Sequence, residues 1–328
     1  MLHFHFKSSA CKKSNLGDDM LLLINPKASG GIAMQKWEAI QEQVLPKLNY
    51  PQYIFLNGVN SLKTNVKIAI NNGERNFISA GGDGTLNLLI NELLNSCDTK
   101  QLKEITIGAL GLGSSNDFYK PFSGNKMIQN ISASINFDES EFRDVGKIDY
   151  IENETTKSKY FIINSSIGIT AEANYFFNNP DSILNILKRK NTTAAIIYAA
   201  INQIFNYKNF IAEISSSSTE KFSAKITNLG IIKNPNFSGN LNYGDKAEYE
   251  NGLFNVHLCY EMNLQERLKL FVALSSGRFN KIKKTKSWTT NNLAVSSEKY
   301  FAVEFDGEIV RTKSVKFSVL QKIIKVCK

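Results

Sequence analysis

The sequence is short of the side chains that build metal centres and cross-links. Its four cysteines, Cys11, Cys97, Cys259 and Cys327, stand far apart with no paired spacing, and its three histidines are His3, His5 and His257. Neither a disulfide framework nor a zinc site is expected from that supply. Long apolar runs are missing as well. The best stretch, 194–205, falls short of the roughly 20 apolar residues a membrane span needs and contains Asn202 and Gln203, so it reads as a core helix. The opening MLHFHFKSSACKKS alternates aromatic and basic residues without a continuous apolar stretch. It does not read as a signal peptide, and a cytoplasmic location is expected. Several nucleotide-binding signatures are absent too. The one Gly-Lys pair, Gly146-Lys147, is followed by Ile148 rather than Ser or Thr, which excludes a P-loop. No third glycine follows Gly82 and Gly84, or Gly111 and Gly113, at the dinucleotide-binding spacing, and protein-kinase catalytic sequences are missing.

Acidic residues are outnumbered, 30 Asp and Glu against 39 Lys and Arg, for a net charge of +9. Nucleic acid, anionic lipid and nucleotide phosphate all match that sign. The positive residues concentrate at Lys188, Arg189 and Lys190 and again at Lys281, Lys283, Lys284 and Lys286. No RNA-binding aromatic signature or helix-turn-helix accompanies them, so nucleic acid is not expected. A solvated lysine-rich face and attraction to a membrane surface remain as two readings of these clusters.

At 328 residues, 42% of them hydrophobic, the chain exceeds one core and is expected to form two domains. Strands at 20–24, 53–56, 77–80 and 105–110 alternate with helices, the first marked by Trp37, Ile40, Val44 and Leu48 on one stripe. This predicts a doubly wound α/β domain over 18–142, whose ligand would sit beyond the carboxyl ends of the strands. From about residue 143 the period shortens, with strands at 160–169, 221–232, 253–260, 293–297, 301–305 and 315–320. The second domain, 143–312, is therefore expected to be mostly β and sandwich-like, with helical stretches around 182–205 and 264–276. Residues 313–328 are placed as a return to the first domain.

Residues 75–87, RNFISAGGDGTLN, carry the most chemistry. An apolar strand runs into Gly81, Gly82, Asp83, Gly84 and Thr85, and Leu86, Leu89, Ile90, Leu93 and Leu94 then recur at helical spacing. Glycines at a strand-to-helix junction let phosphate oxygens approach the N–H groups of the helix start. A carboxylate there would repel phosphate unless a cation lay between them, so Asp83 implies Mg²⁺ carried with a nucleotide. A glycine-rich turn capped by Thr85 is the plainer reading of the same residues.

Three further segments match a family when taken with this turn. They are Asn25-Pro26 with Ser29-Gly30-Gly31, Leu112-Gly113-Ser114-Ser115-Asn116-Asp117-Phe118, and Phe305-Asp306-Gly307-Glu308. In this order the four segments resemble the diacylglycerol kinase catalytic family, the bacterial lipid kinases related to sphingosine kinases. The resemblance spans almost the whole chain. It implies an ATP site formed by Asn25, Pro26, Ser29, Gly30, the backbone from Gly81 to Thr85, Asn87, Ser114 and Asn116. It places Asp83 and Asp117 on the nucleotide's Mg²⁺, Glu308 as the base that accepts the substrate's proton, and Asp306 beside it. Asp306-Gly307 is also the commonest hairpin turn, and Asn116-Asp117 also suits a helix cap. Bacterial members often hold a structural Mg²⁺ in the second domain, which implies Glu248, Asn251 and Leu253 here, with Asn251 standing where an Asp is usual. Other departures are Leu88 in place of a Glu after the glycine turn, and Gly111, Ser114 and Ser115 in the third loop.

By resemblance, then, the chain is expected to be an ATP-dependent lipid kinase acting on a diacylglycerol-like hydroxyl at a membrane surface. Its expected partners are the lipid, an anionic membrane on which it sits peripherally and, for assembly, a second copy in a homodimer. A soluble-substrate kinase of the NAD kinase type and a non-catalytic, nucleotide-responsive lipid-binding protein are the alternatives.

Overall fold

Four short apolar strands lay down the first part of a sheet. They are β1 (Met20–Ile24), β2 (Gln52–Phe55), β3 (Asn76–Gly81) and β4 (Thr106–Gly111), paired in parallel in the order β2-β1-β3-β4. Between them run α1 (Ile32–Lys47), α2 (Val59–Asn72), α3 (Asp83–Ser96) and α4 (Thr99–Glu104). β1 reads MLLLI and is buried along its whole length, as a strand covered on both faces must be. Its alternate residues enter different cores. Leu22 and Ile24 pack with Trp37, Ile40 and Val44 of α1, whereas Leu21 and Leu23 pack with Val66 of α2 and with Leu86 and Leu89 of α3. Helices thus cover both faces, and the first domain is doubly wound.

This computed structural model describes residues 19–120 and 126–328. The opening segment read for a leader, with His3, His5, Cys11 and Asp18, lies outside the described residues.

The remaining elements are β5 (Met127–Ile128), β6 (Ile131–Ser134), β7 (Ser140–Glu152), β8 (Thr155–Phe161), β9 (Asn164–Gly168), α5 (Ile169–Asn178), α6 (Ser182–Lys190), α7 (Thr192–Asn206), β10 (Phe210–Ser216), β11 (Thr219–Ile232), β12 (Asn236–Phe237), β13 (Leu241–Asn242), β14 (Phe254–Tyr260), α8 (Leu264–Ser275), β15 (Thr285–Thr290), β16 (Asn292–Phe305) and β17 (Glu308–Cys327). The long strands pair antiparallel around a core that includes Phe161, Phe254, Val303, Phe305 and Phe317. The second domain is therefore strand-rich, with α5 to α8 set at one side. β17 begins antiparallel to β16 and ends parallel to β4, through Lys325 to Thr106 and Val326 to Ile107. It joins both domains into one continuous sheet.

Three details depart from the sequence pattern. The helical stretch 182–205 is two helices, because Asn191 is extended and its side chain caps α7 at the Ala194 N–H. α7 is not a core helix. It buries Ala195, Ala199 and Ile204 but leaves Ile197, Ile201 and Phe205 at 44%, 42% and 59% exposure. The run 160–169 is not one strand, since β8 stops at Phe161 and β9 starts at Asn164. The N–H groups of Ile162 and Ile163 turn instead to the Asp306 carboxylate, at 2.7 and 3.0 Å.

Candidate active site

The three glycine loops lie beyond the carboxyl ends of β1, β3 and β4 and touch one another. A Cβ on Gly113 would stand 2.4 Å from Gly82 Cα, so the second and third loops pack backbone to backbone. Gly113 N donates to Gly81 O at 3.0 Å. Ser29 of the first loop meets Ser114 of the third, hydroxyl to hydroxyl at 2.9 Å. Lys36 on α1 donates to the Leu112 and Gly113 carbonyls at 3.2 and 2.7 Å. Gly82 caps α3 without any side-chain bond, and Thr85 N turns back to Gly82 O at 2.9 Å, which leaves the Asp83 and Gly84 N–H groups for a ligand. A Cβ on Gly84 would meet nothing within 4 Å, and the space it leaves belongs to the cavity. Asn116 Oδ1 is buried without a hydrogen-bond partner among the described residues. An anion-accepting helix start, an empty space at a glycine and an orphaned polar atom together fit a bound nucleotide.

Not all predicted contacts face that space. Asn25 Nδ2 donates to Thr85 Oγ1 at 2.9 Å, which fixes the first loop to the second. Of the first-loop residues, Ser29 borders the cavity and Asn25, Pro26 and Gly30 do not. Asn87 is buried and points the other way, with Nδ2 donating to Tyr160 O at 2.8 Å and to Asp306 Oδ2 at 3.0 Å. It links α3 to the second domain and does not border the cavity.

That domain closes the site with an acidic hairpin. Asp306 and Gly307 both have positive φ, 45° and 91°, and connect β16 to β17 as a type I′ turn. The turn places Glu308 at the cavity, exposed and without an ion pair or side-chain hydrogen bond among the described residues. Asp306 is buried and its carboxylate is fully engaged. It accepts from the N–H groups of Ile162, Ile163 and Asn164 and from Asn87, so it braces the two domains, and it also borders the cavity beside Glu308, where it was expected. Glu304 borders the cavity and was not marked by the sequence reading. Its carboxylate accepts from Ser166 Oγ and from Gly307 N, both at 2.9 Å.

The carboxyls here crowd one another. Burial, and then the charge of Asp117, push Asp83 up to about 7. Burial likewise raises Glu304 to about 7, and Asp306 to about 6 against the four donors that favour its ionised form. Asp83 also holds the third loop, accepting from Asp117 N at 2.9 Å and Phe118 N at 3.1 Å. Asp117 binds Lys120 Nζ at 2.7 Å and Gly239 N at 3.0 Å. No cluster of three or more His, Cys, Asp and Glu converges among the described residues. Mg²⁺ needs only one or two carboxylates when it arrives on phosphates, so Asp83 and Asp117, two neighbouring carboxyls that border the cavity, fit it, with Asp117 also paired to Lys120.

These raised values set a pH dependence. The folded protein keeps protons that the unfolded chain has already released, so the stability they contribute is present at low pH and lost as pH rises through about 7. The unfolding midpoint of the ligand-free protein should fall as pH rises from about 5 to about 7, between the ordinary carboxyl range and the raised values, and level off above about pH 8. Asp83→Asn and Glu304→Gln should each flatten that slope in thermal melts; an unchanged slope in both would contradict the assignment.

The second-domain set marked for a structural Mg²⁺ does not fit one. Asn251 Oδ1 and Leu253 O both accept from Lys233 Nζ, at 3.0 and 2.9 Å, and Glu248 is exposed and bonded to Asn251 Nδ2. An ammonium stands where the ion would be.

The cavity holds about 1120 Å³ and has two chemically different ends. One is lined by the glycine loops and the carboxyls. The other is lined by Ile169, Phe177, Ile196, Ile204, Phe271 and Leu274, from α5, α7 and α8. No helix among the described residues is long and apolar enough to cross a membrane.

Among curated proteins no sequence matches the chain. Residues 19–148 match the family of the diacylglycerol kinase catalytic domain. Three solved structures from Bacillus anthracis strain Sterne share the fold. One, named as a diacylglycerol kinase, is 13% identical with a TM-score of 0.64, over 96% of this chain and 98% of that one. Two, named as candidate diacylglycerol kinases, are each 16% identical, with TM-scores of 0.70 and 0.71. They cover 98% and 96% of this chain and 98% of their own. In the sequence of its first domain and in the fold of its whole length, the chain is similar to diacylglycerol kinases.

Proposed function

We propose that the protein is an ATP-dependent lipid kinase that moves the γ-phosphoryl group of ATP onto a hydroxyl of a diacylglycerol-like lipid. The observation that carries this reading is the joining of a glycine-loop phosphate site and an apolar chamber in one cavity, with Glu308 at the cavity wall. The N–H groups at the start of α3, Gly113, and the Ser29 and Ser114 hydroxyls hold the phosphates. Asp83 and Asp117 would hold Mg²⁺, which neutralises phosphate charge when bound. The lipid's acyl part lies along Ile196, Ile204 and Phe271, and its hydroxyl reaches Glu308. The hydroxyl oxygen attacks the γ-phosphorus, the bond to the bridging oxygen breaks, ADP leaves, and Glu308 takes the hydroxyl proton. Glu304 holds Gly307 and so sets the height of Glu308.

The test is to incubate the protein with labelled ATP, Mg²⁺ and either mixed-lipid vesicles or NAD. Label in a lipid supports the reading; label in NAD overturns it in favour of a soluble-substrate kinase. Label in neither would favour a binding protein without catalysis.

The lipid reaches the site from a membrane surface. Ile183 and Ile186 of α6, Ile201 and Phe205 of α7 and Val272 of α8 are exposed, and Ile197 is both exposed and part of the cavity wall. Arg189 and Lys190, at the end of α6, are exposed and supply the charge for anionic headgroups. Ile201→Asp should leave the fold intact, because the residue is 42% exposed and belongs to neither of the buried clusters that α7 enters. It should weaken binding to anionic vesicles about tenfold and raise KM for vesicle-borne lipid, with kcat on a short-chain soluble lipid unchanged. Unaltered vesicle binding would remove α7 from the membrane surface.

A further inference from the structure

Lys233 ends the buried run of β11, and its ammonium is sealed from water. The side chain is 1% exposed and that of its partner Asp144 is 0% exposed. Nζ donates to Asp144 Oδ2 at 2.8 Å, Asn251 Oδ1 at 3.0 Å and Leu253 O at 2.9 Å. An ammonium has three protons and no acceptor, so this cation is saturated. Its partners are saturated as well. Asp144 Oδ2 also accepts from Gly252 N at 2.8 Å and Oδ1 from Lys322 N at 3.0 Å, and Asn251 Oδ1 accepts from Leu253 N at 3.0 Å.

A carboxylate, an amide oxygen and a backbone carbonyl are the oxygen types that bind a hard divalent cation. Here they surround a nitrogen at ordinary hydrogen-bond lengths, well beyond the ~2.1 Å that Mg²⁺ requires. Charge explains the choice. Two carboxylates would balance a divalent ion; with Asn at 251, Asp144 is the one anion in contact with Nζ, and it balances a monovalent one. A second cation placed beside Nζ would meet strong repulsion in this dry setting. Lysine at 233 and asparagine at 251 compensate each other.

We infer that the Lys233 ammonium is a built-in cation that replaces a divalent metal in the second domain and makes that domain's integrity independent of metal. The inference does not depend on which substrate the enzyme uses. The ammonium ties together β7 through Asp144, β11, the loop leading to β14 through Asn251 and Leu253, and β17 through the Asp144 bond to Lys322. It also reaches the active site by short steps. Asn234, the next residue, donates to Asp117 O at 3.0 Å, and Arg143, the residue before Asp144, lies over Phe118 of the third loop. The brace therefore supports the loop that carries Asp117.

Thermal melts of the full chain without nucleotide, in EDTA and in millimolar Mg²⁺, give the test, together with metal analysis of the desalted protein. The wild type should hold no tightly bound metal and melt no lower in EDTA than after removal of metal by desalting alone. Lys233→Met keeps the length and loses the charge, and should melt about 5 °C or more lower in both conditions. The pair Lys233→Ala with Asn251→Asp restores two carboxylates around an open space. It should melt low in EDTA and regain several degrees in Mg²⁺, by more than any Mg²⁺ response of the wild type. The inference is overturned if the wild type loses several degrees in EDTA. It is also overturned if desalted wild type retains one metal ion that persists in Asp83→Asn, or if Lys233→Met melts with the wild type. Should Lys233→Met fail to fold, the EDTA comparison and the metal analysis on the wild type still decide it.

Discussion

Glu308→Gln should lower the rate of phosphoryl transfer by about 10²–10⁴-fold, the usual worth of a positioned general base, and leave ATP affinity almost unchanged. Glu308 is the first residue of β17, directly after the type I′ turn, so its backbone is fixed by pairing with Phe305. Its carboxylate is exposed to the cavity, with no ion pair or side-chain hydrogen bond among the described residues, so the substitution disturbs no packing. Glutamine keeps the shape and removes the basic oxygen. The loss should fall on kcat, since the proton moves only as the transition state forms. Single-turnover transfer from labelled ATP to vesicle lipid measures it, with nucleotide binding by calorimetry as the control. Retention of activity within about threefold would exclude Glu308 as the base. Glu304 would then be the next candidate, a buried carboxyl raised to about 7 on the same wall.

The parts of this molecule that were legible in its sequence are those whose signals are local. MLLLI could only be a buried strand, and Trp37, Ile40 and Val44 could only be one helical stripe. The glycine loops were readable because close backbone approach demands glycine at fixed positions, and Gly82 and Gly113 do meet. What stayed hidden depends on partners far away in the chain. Asp306 looks catalytic beside Glu308, but its donors come from residues 162–164 and from Asn87. Lys233 looks like a solvated strand end after Ile231-Ile232, and only the fold shows the oxygens around it. Glu304 did leave a trace, as a carboxylate inside the otherwise apolar run 301–305 of β16. α7 reads as apolar on most sides, and tertiary packing alone decides that Ile197, Ile201 and Phe205 remain uncovered.

Asp306→Ala should destabilise the protein by roughly 3–5 kcal/mol, a larger cost than most single changes. Oδ2 accepts from Ile162 N at 2.7 Å and Asn87 Nδ2 at 3.0 Å, and Oδ1 accepts from Ile163 N and Asn164 N, each at 3.0 Å. Truncation leaves the three backbone N–H groups buried and unpaired, each costing about 1–3 kcal/mol unless water enters the gap, while Asn87 Nδ2 keeps its bond to Tyr160 O. The break between β8 and β9 exists because these N–H groups face a carboxylate, so the segment would lose its reason to bend. Asp306→Asn should be milder yet still destabilising, because one amide face would turn an N–H toward two donors. Urea titrations with an unchanged m-value would measure both losses. A double-mutant cycle with Asn87→Ala should give a favourable coupling on the order of 1 kcal/mol, since Asn87 contributes one of the four bonds. Folded Asp306→Asn protein should retain part of its kcat, because the carboxylate supports Glu308 and does not touch the reacting atoms. If Asp306→Ala melted with the wild type and yet abolished transfer, the residue would belong to the chemistry and the brace would be wrong.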